Sequence, residues 1–161
     1  KASLGSYAAV GAILVFMTVI GVLSVWREYN LSWLMFSKAD LALADFVRAK
    51  TPKDALFLTS DSHRHPVPAL AGRRIVMGYR GWLWTHGIDY KSRELDVLKM
   101  YSGGEKAIAL MKNYGVGYAV VEENKIAELN IAKEFFVQKF PLVYQSGNYS
   151  IFQVDSTAMT P

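Results

Sequence analysis

The chain has 161 residues, enough for one domain of ordinary size with a segment to spare, and it carries a formal charge of +4 and no cysteine. The missing cysteines exclude disulfides, thiolate metal sites and cysteine nucleophiles. A composition of 52% hydrophobic and 13% aromatic residues excludes a disordered chain. Acids and bases interspersed from Lys38 to Lys139 do not make the one-sided basic face of a nucleic-acid binder, so acidic lipid head groups or phosphorylated ligands match the chain better.

From Ala2 to Trp26 there is no charged residue, and the run Tyr7–Trp26 is almost wholly apolar. About 20 helical residues reach roughly 30 Å, the hydrocarbon thickness of a bilayer, so this run is expected to be a transmembrane helix. Tyr7 and Trp26 stand at its two ends, where interfacial aromatics belong. A signal peptide has a shorter apolar core and a small-residue cleavage site, and none is evident after Trp26. No G-x-x-x-G pairing motif is present, and Lys1 and Arg27 alone set no orientation. The first residue is Lys1 rather than Met, which fits either processing or a piece of a longer protein.

Residues 1–36 are therefore read as membrane helix and juxtamembrane segment, the latter rich in aromatics at Tyr29, Trp33 and Phe36. Ser37 and Asp40 have capping-box spacing for a helix with Leu41, Ala44, Phe46 and Val47 on its apolar face, ended by Thr51–Pro52. Ala55–Thr59 predicts a buried strand followed by a polar loop, Ser60–Pro66, at its carboxyl end, where ligands sit in open α/β sheets. A brief turn over Ala69–Gly72 and a second strand over Ile75–Met77 follow, and Gly78–Gly87 reads as irregular.

Asp89 or Ser92 caps a helix running to about Tyr101, and Glu105–Tyr114 predicts an amphipathic helix closed by Gly115. Tyr118–Val121 is the clearest buried strand, Ile126–Phe140 a further helical stretch, and Leu142–Tyr144 with Tyr149–Val154 a hairpin across Ser146–Asn148. Residues 156–161 are expected to be a disordered tail. Alternating strands and helices over 37–155 predict a small three-layer, Rossmann-like α/β domain with a mainly parallel sheet and an antiparallel hairpin at one edge.

The chemistry-bearing residues concentrate between Asp61 and Arg93. Asp61, His63 and His65 at alternate positions, with His86, could converge on a metal ion from an extended loop. H-x-H is common by chance and no acidic cluster lies near it, so the favoured reading has His63 or His65 tying the loop to Arg73 or to a backbone carbonyl, with no metal or other cofactor. Arg73 and Arg74 could grip a phosphate, but the favoured reading pairs one with Asp61 or Asp89 and leaves the other solvated. Tyr79, Trp82 and Trp84 suit equally a sugar ring, lipid head groups or packing, and Arg93 completes the candidates for ligand or partner binding. No phosphate loop and no G-x-S-x-G elbow is present.

The stretch FLTSDSHRHPVPALAGRRIVMGYRGWLWTHGIDYKSRELDVLKMY, with YGVGYAVVEE and FPLVYQSGNYSIFQV, resembles the C-terminal region of polytopic GT-C-type membrane glycosyltransferases. The likeness spans Ser37–Val154, and its most specific pieces are HPVPALAGR and GYRGWLWTHGIDY. It implies a final membrane helix leading to a small α/β domain outside the cytoplasm, in a protein that transfers a sugar from a lipid phosphate. The family's acidic, metal-binding residue lies in an early loop without counterpart here, so no catalytic role passes to Asp61 or any other residue. As a fragment the chain would be the non-catalytic terminal domain of such a transferase, helping to bind the polyprenyl-phosphate sugar or a partner protein. As a whole protein it would be a single-pass accessory subunit of a larger membrane complex.

Overall fold

In the computed structural model, which describes residues 4–31 and 34–155, the chain divides into two compact units, one ending at Met35 and the other beginning at Phe36. The expected interfacial Trp33 and the expected tail over 156–161 lie outside the described residues.

The first unit is helix α1, Leu4–Asn30. None of its side chains is buried, and it is long and apolar enough to cross a membrane. It runs past Trp26, so Arg27, Glu28 and Tyr29 continue the helix. Two of its polar side chains bond back to the helix itself. Thr18 Oγ1 donates to Leu14 O at 2.8 Å, and the Asn30 amide to Trp26 O at 2.7 Å.

The second unit opens with α2, Lys38–Lys50, behind the expected capping box. Ser37 Oγ accepts from Asp40 N–H at 3.2 Å, and Asp40 Oδ2 accepts from Ser37 N–H at 2.7 Å. Leu43, Ala44 and Val47 face inward, whereas Leu41 stays on the outer side. Thr51 ends the helix by turning its backbone extended before Pro52 and donating its hydroxyl to Val47 O.

There follow β1 (Leu56–Leu58), α3 (Pro66–Ala69), β2 (Arg74–Ile75), α4 (Arg80–Thr85), α5 (Lys91–Tyr101), α6 (Glu105–Tyr114) and β3 (Tyr118–Glu122). After a 3-10 turn at Glu123–Lys125 come α7 (Ile126–Leu129), α8 (Lys133–Lys139), β4 (Leu142–Ser146) and β5 (Tyr149–Gln153). Three expectations are corrected. The stretch 78–87 contains the helix α4, because neither Gly78 nor Gly81 adopts a left-handed backbone. The helical turn expected at Ala69–Gly72 starts earlier, with Pro66 in the first helical position where its missing N–H costs nothing. The stretch 126–140 is split, because Asn130 takes a left-handed φ of 49° and closes α7.

The five strands form one mixed sheet in the order β2-β1-β3-β5-β4. β1 pairs in parallel with both β2 and β3, and the β4–β5 hairpin adds antiparallel ladders at the β3 side. Strand alternation sorts the core into two clusters. Phe57, Tyr118, Val120 and Ile151 pack with Leu43, Ala44 and Val47 of α2 and Val67 of α3. Leu58, Ala119, Val121 and Phe152 pack with Val97, Met100 and Tyr101 of α5, Met111 of α6 and Phe136 of α8.

Chain direction across the sheet reverses at β1. The step to β2 goes one way, through α3 on the first face, and the next strand, β3, lies on the other side of β1. The exit from β3 runs through α7 and α8 on the second face. The carboxyl ends of β1 and β3 therefore lie side by side in the sheet.

Candidate functional site

Two groups of side chains occupy that region, one buried and one on the surface. The buried group starts from the strand ends. Thr59 and Ser60 continue β1, Glu122 ends β3, and all three are buried. His65 caps α3: its Nδ1 accepts from Val67 N–H at 3.2 Å, which leaves the ring proton on Nε2. Nε2 stands 3.3 Å from Glu122 Oε1, with His65 1% and Glu122 5% exposed. The contact falls short of an aligned hydrogen bond, but it sets the Nε2 side of the ring against the carboxylate. Burial pushes the Glu122 carboxyl up, but the His65 ring and the Ser60 hydroxyl pull it down by more, so it lies below the ordinary carboxylate range.

A few residues away Tyr149 donates to Asp40 Oδ1 at 2.6 Å, joining the hairpin to the α2 cap. Burial opposes the charge on Asp40, yet the Tyr149 hydroxyl and the Ser37 donors outweigh it and lower its pKa. The same burial and the same carboxylate push the Tyr149 phenol up.

Asp61 turns to the other face. Its Oδ2 pairs with Arg80 Nε at 2.9 Å, and Arg80 Nη1 reaches Glu94 Oε1 at 3.1 Å. Arg80 thus ties the loop after β1 to α4 and α5. Beside this bridge lies a cavity of about 160 Å³ walled by Asp61, Arg80, Glu94 and Glu128 and by the apolar Met77, Val97, Leu98 and Leu129.

The surface group is aromatic. His63 sets its ring edge-on to Tyr79 at 5.0 Å and to Trp82 at 4.7 Å, and Tyr79 meets Trp82 at 6.0 Å. Gly81 makes room for this cluster, since a Cβ there would stand 2.5 Å from the Tyr79 ring. Leu83 packs on the core, while Trp82 and Trp84 remain 56% and 72% exposed. His86 caps α4 with its ring Nδ1 2.8 Å from Trp82 O.

The expected residues therefore divide. Asp61, His63, Tyr79, Trp82 and His86 gather in and around α4 through the contacts above, and Trp84 stands exposed on the same helix. His65 turns inward, away from His63, and among the described residues no three His, Asp or Glu side chains are placed to hold a metal ion. The expected pairing of either Arg73 or Arg74 with Asp61 or Asp89 is corrected, since Asp61 pairs with Arg80. Arg73 reaches the carbonyls of Val47, Arg48, Thr51 and Ala71 and the Thr51 hydroxyl, at 3.0–3.3 Å, and clamps the C-terminus of α2. Asp89 instead accepts from Lys91 N–H at 3.1 Å at the start of α5. Arg74 is exposed on β2, and Arg93 lies 5.8 Å from the centre of the Tyr114 ring.

The residues not anticipated are Ser60, Glu122, Arg80, Glu94 and Glu128. Glu122 had a visible signal, a carboxylate ending the apolar run Tyr118–Val121. Arg80 and Glu94 had none, because their pairing depends on α4 and α5 meeting. No family model matches the chain, and no curated protein matches it.

Proposed function

We propose that this chain is the non-catalytic C-terminal part of a GT-C-like membrane glycosyltransferase, with α1 in the bilayer and the second unit outside the cytoplasm. On this reading the second unit is a three-layer Rossmann-like domain. It helps to hold the lipid-phosphate sugar that the parent protein uses, or a neighbouring protein, through the face carrying His63, Tyr79, Trp82 and Trp84. The observation that carries the reading is the contrast between the two groups of side chains. The ionisable groups at the strand ends are committed to one another, as His65 to Glu122 and Arg80 to Asp61 and Glu94. The aromatic side chains on α4 are left outward, supported from below by Leu83. Paired charges with edge-packed, outward-facing rings suit binding better than bond-making.

Saturation-transfer NMR on the full chain in nanodiscs tests this, with a polyprenyl-phosphate sugar as probe. Transfer between the sugar and the ring protons of Tyr79, Trp82 and His63 is expected. Absence of transfer removes the sugar-binding reading. In that case recovery of the chain in a stable complex with other membrane subunits would favour the second reading, a single-pass accessory subunit.

A further inference from the structure

We infer that the α4 face is a docking surface for anionic lipid head groups. This rests on the reading of that face as a binding surface and names its partner. Three observations meet there.

The first is the kind of apolar group exposed. Trp82 and Trp84 flank the inward Leu83, Tyr79 stands at the helix start, and Ile88 beyond the helix is more than half exposed. Trp and Tyr are the side chains that settle at the depth of lipid head groups, where a ring is half wet and half dry.

The second is charge. From His63 to Arg93 the sequence holds six basic residues, Arg64, Arg73, Arg74, Arg80, Lys91 and Arg93, against Asp89 alone. Widening the window to include Asp61 and Glu94, which Arg80 bridges, still leaves six basic against three acidic residues. Arg73 is spent on α2, whereas Arg74 and Lys91 are exposed and enter no ion pair among the described residues. An excess of basic over acidic residues in the stretch that carries the exposed tryptophans complements an anionic leaflet, and each basic residue near such a surface is worth about fivefold in binding.

The third is reach. Seven residues separate Asn30, the end of α1, from Lys38, the start of α2. They span at most about 25 Å. A helix able to cross a bilayer thus keeps the second unit within contact range of the same bilayer.

The test uses the full chain carrying Trp26→Phe and Trp33→Phe, so that Trp82 and Trp84 are its only tryptophans, excited at wavelengths that tyrosine does not absorb. It is placed in nanodiscs with brominated acyl chains, of phosphatidylcholine alone or mixed with phosphatidylglycerol. Quenching of the two tryptophans is expected with phosphatidylglycerol and to a much smaller extent without it. Lys91→Gln, and then Arg74→Gln as well, should each lower the docked-to-undocked ratio about fivefold. Added salt should act the same way. Equal quenching in both lipids overturns the inference, because charge then plays no part. Absence of quenching in both overturns it too. If saturation transfer from the polyprenyl-phosphate sugar persists in that case, only the lipid inference falls. If it is also absent, the reading of the face as a binding surface falls with it.

Discussion

Glu122 at the end of β3 and His65 at the start of α3 face each other across 3.3 Å, both shut away from solvent, although 56 residues lie between them in the chain. The contact fastens the loop after β1 to the neighbouring strand. It also fixes the imidazole by both nitrogens, one on Val67 N–H and one on the carboxylate. The loop that carries Asp61 and His63 is thereby held in place from below.

The pair makes stability depend on acid. The Glu122 carboxyl is held below its ordinary value in the folded chain. Its contribution is therefore fully present above the unfolded value, about 4.3, and is lost as pH falls through the folded one. Urea unfolding between neutral pH and pH ~3 should show a steep loss of stability in the wild type. Glu122→Gln should flatten that slope without abolishing it, because Asp40 is lowered too. An unchanged slope would mean that the pair carries no folding energy. Glu122→Ala, which leaves the buried imidazole N–H without its acceptor, should cost about 2 kcal/mol near neutral pH.

Arg73 should prove structural. Its fork collects carbonyls from the last turn of α2, where a cation is also favoured by the helix dipole. Arg73→Ala should lower stability by about 2–3 kcal/mol. Arg73→Lys should restore less than half of that, since an ammonium cannot span the same acceptors. Ligand transfer to the α4 rings should persist in both variants under conditions where they stay folded. Loss of transfer in folded Arg73→Lys would place this arginine in the binding surface after all.

The Tyr149–Asp40 hydrogen bond ties residues 109 apart. Tyr149→Phe should cost about 2 kcal/mol, the range for a hydrogen bond to a charged acceptor. A double-mutant cycle with Asp40→Asn measures the coupling directly, and a coupling near zero would contradict the assignment.

Gly81→Ala tests the aromatic cluster without attacking the fold. The added methyl needs the space of the Tyr79 ring, which can swing away, while alanine favours the helix. The expected outcome is native stability with shifted ring resonances of Tyr79 and His63 and weakened binding at the face. Unmoved resonances would show that the rings do not pack in this way.

Much of this architecture is legible in the sequence, and the legible parts share a cause. The Ser37–Asp40 box, the left-handed Gly115 that ends α6 and the Gly147–Asn148 turn act over a few residues, so spacing alone reveals them. The parallel order of β1 and β3 follows from strands alternating with helices. What spacing could not reveal depends on distant residues meeting. Gly78, Gly81 and Gly87 made the α4 stretch look irregular, yet only Gly87 uses the left-handed conformation, and it does so after the helix has ended. Spacing pointed to Asp61 or Asp89 as the partner of one of the paired arginines, whereas the carbonyls that hold Arg73 lie at the end of α2, some 22–26 residues earlier. The three histidines looked alike as a set, but one is a buried cap, one a ring-edge contact and one a helix end.

The most direct measurement is a titration of the full chain with a polyprenyl-phosphate sugar in phosphatidylcholine nanodiscs, following tryptophan emission in the Trp26→Phe, Trp33→Phe background. The account predicts a saturable change in the emission of Trp82 and Trp84 that Trp82→Ala diminishes, with the sugar donor recovered intact. A flat titration, or consumption of the donor by this chain alone, would contradict it.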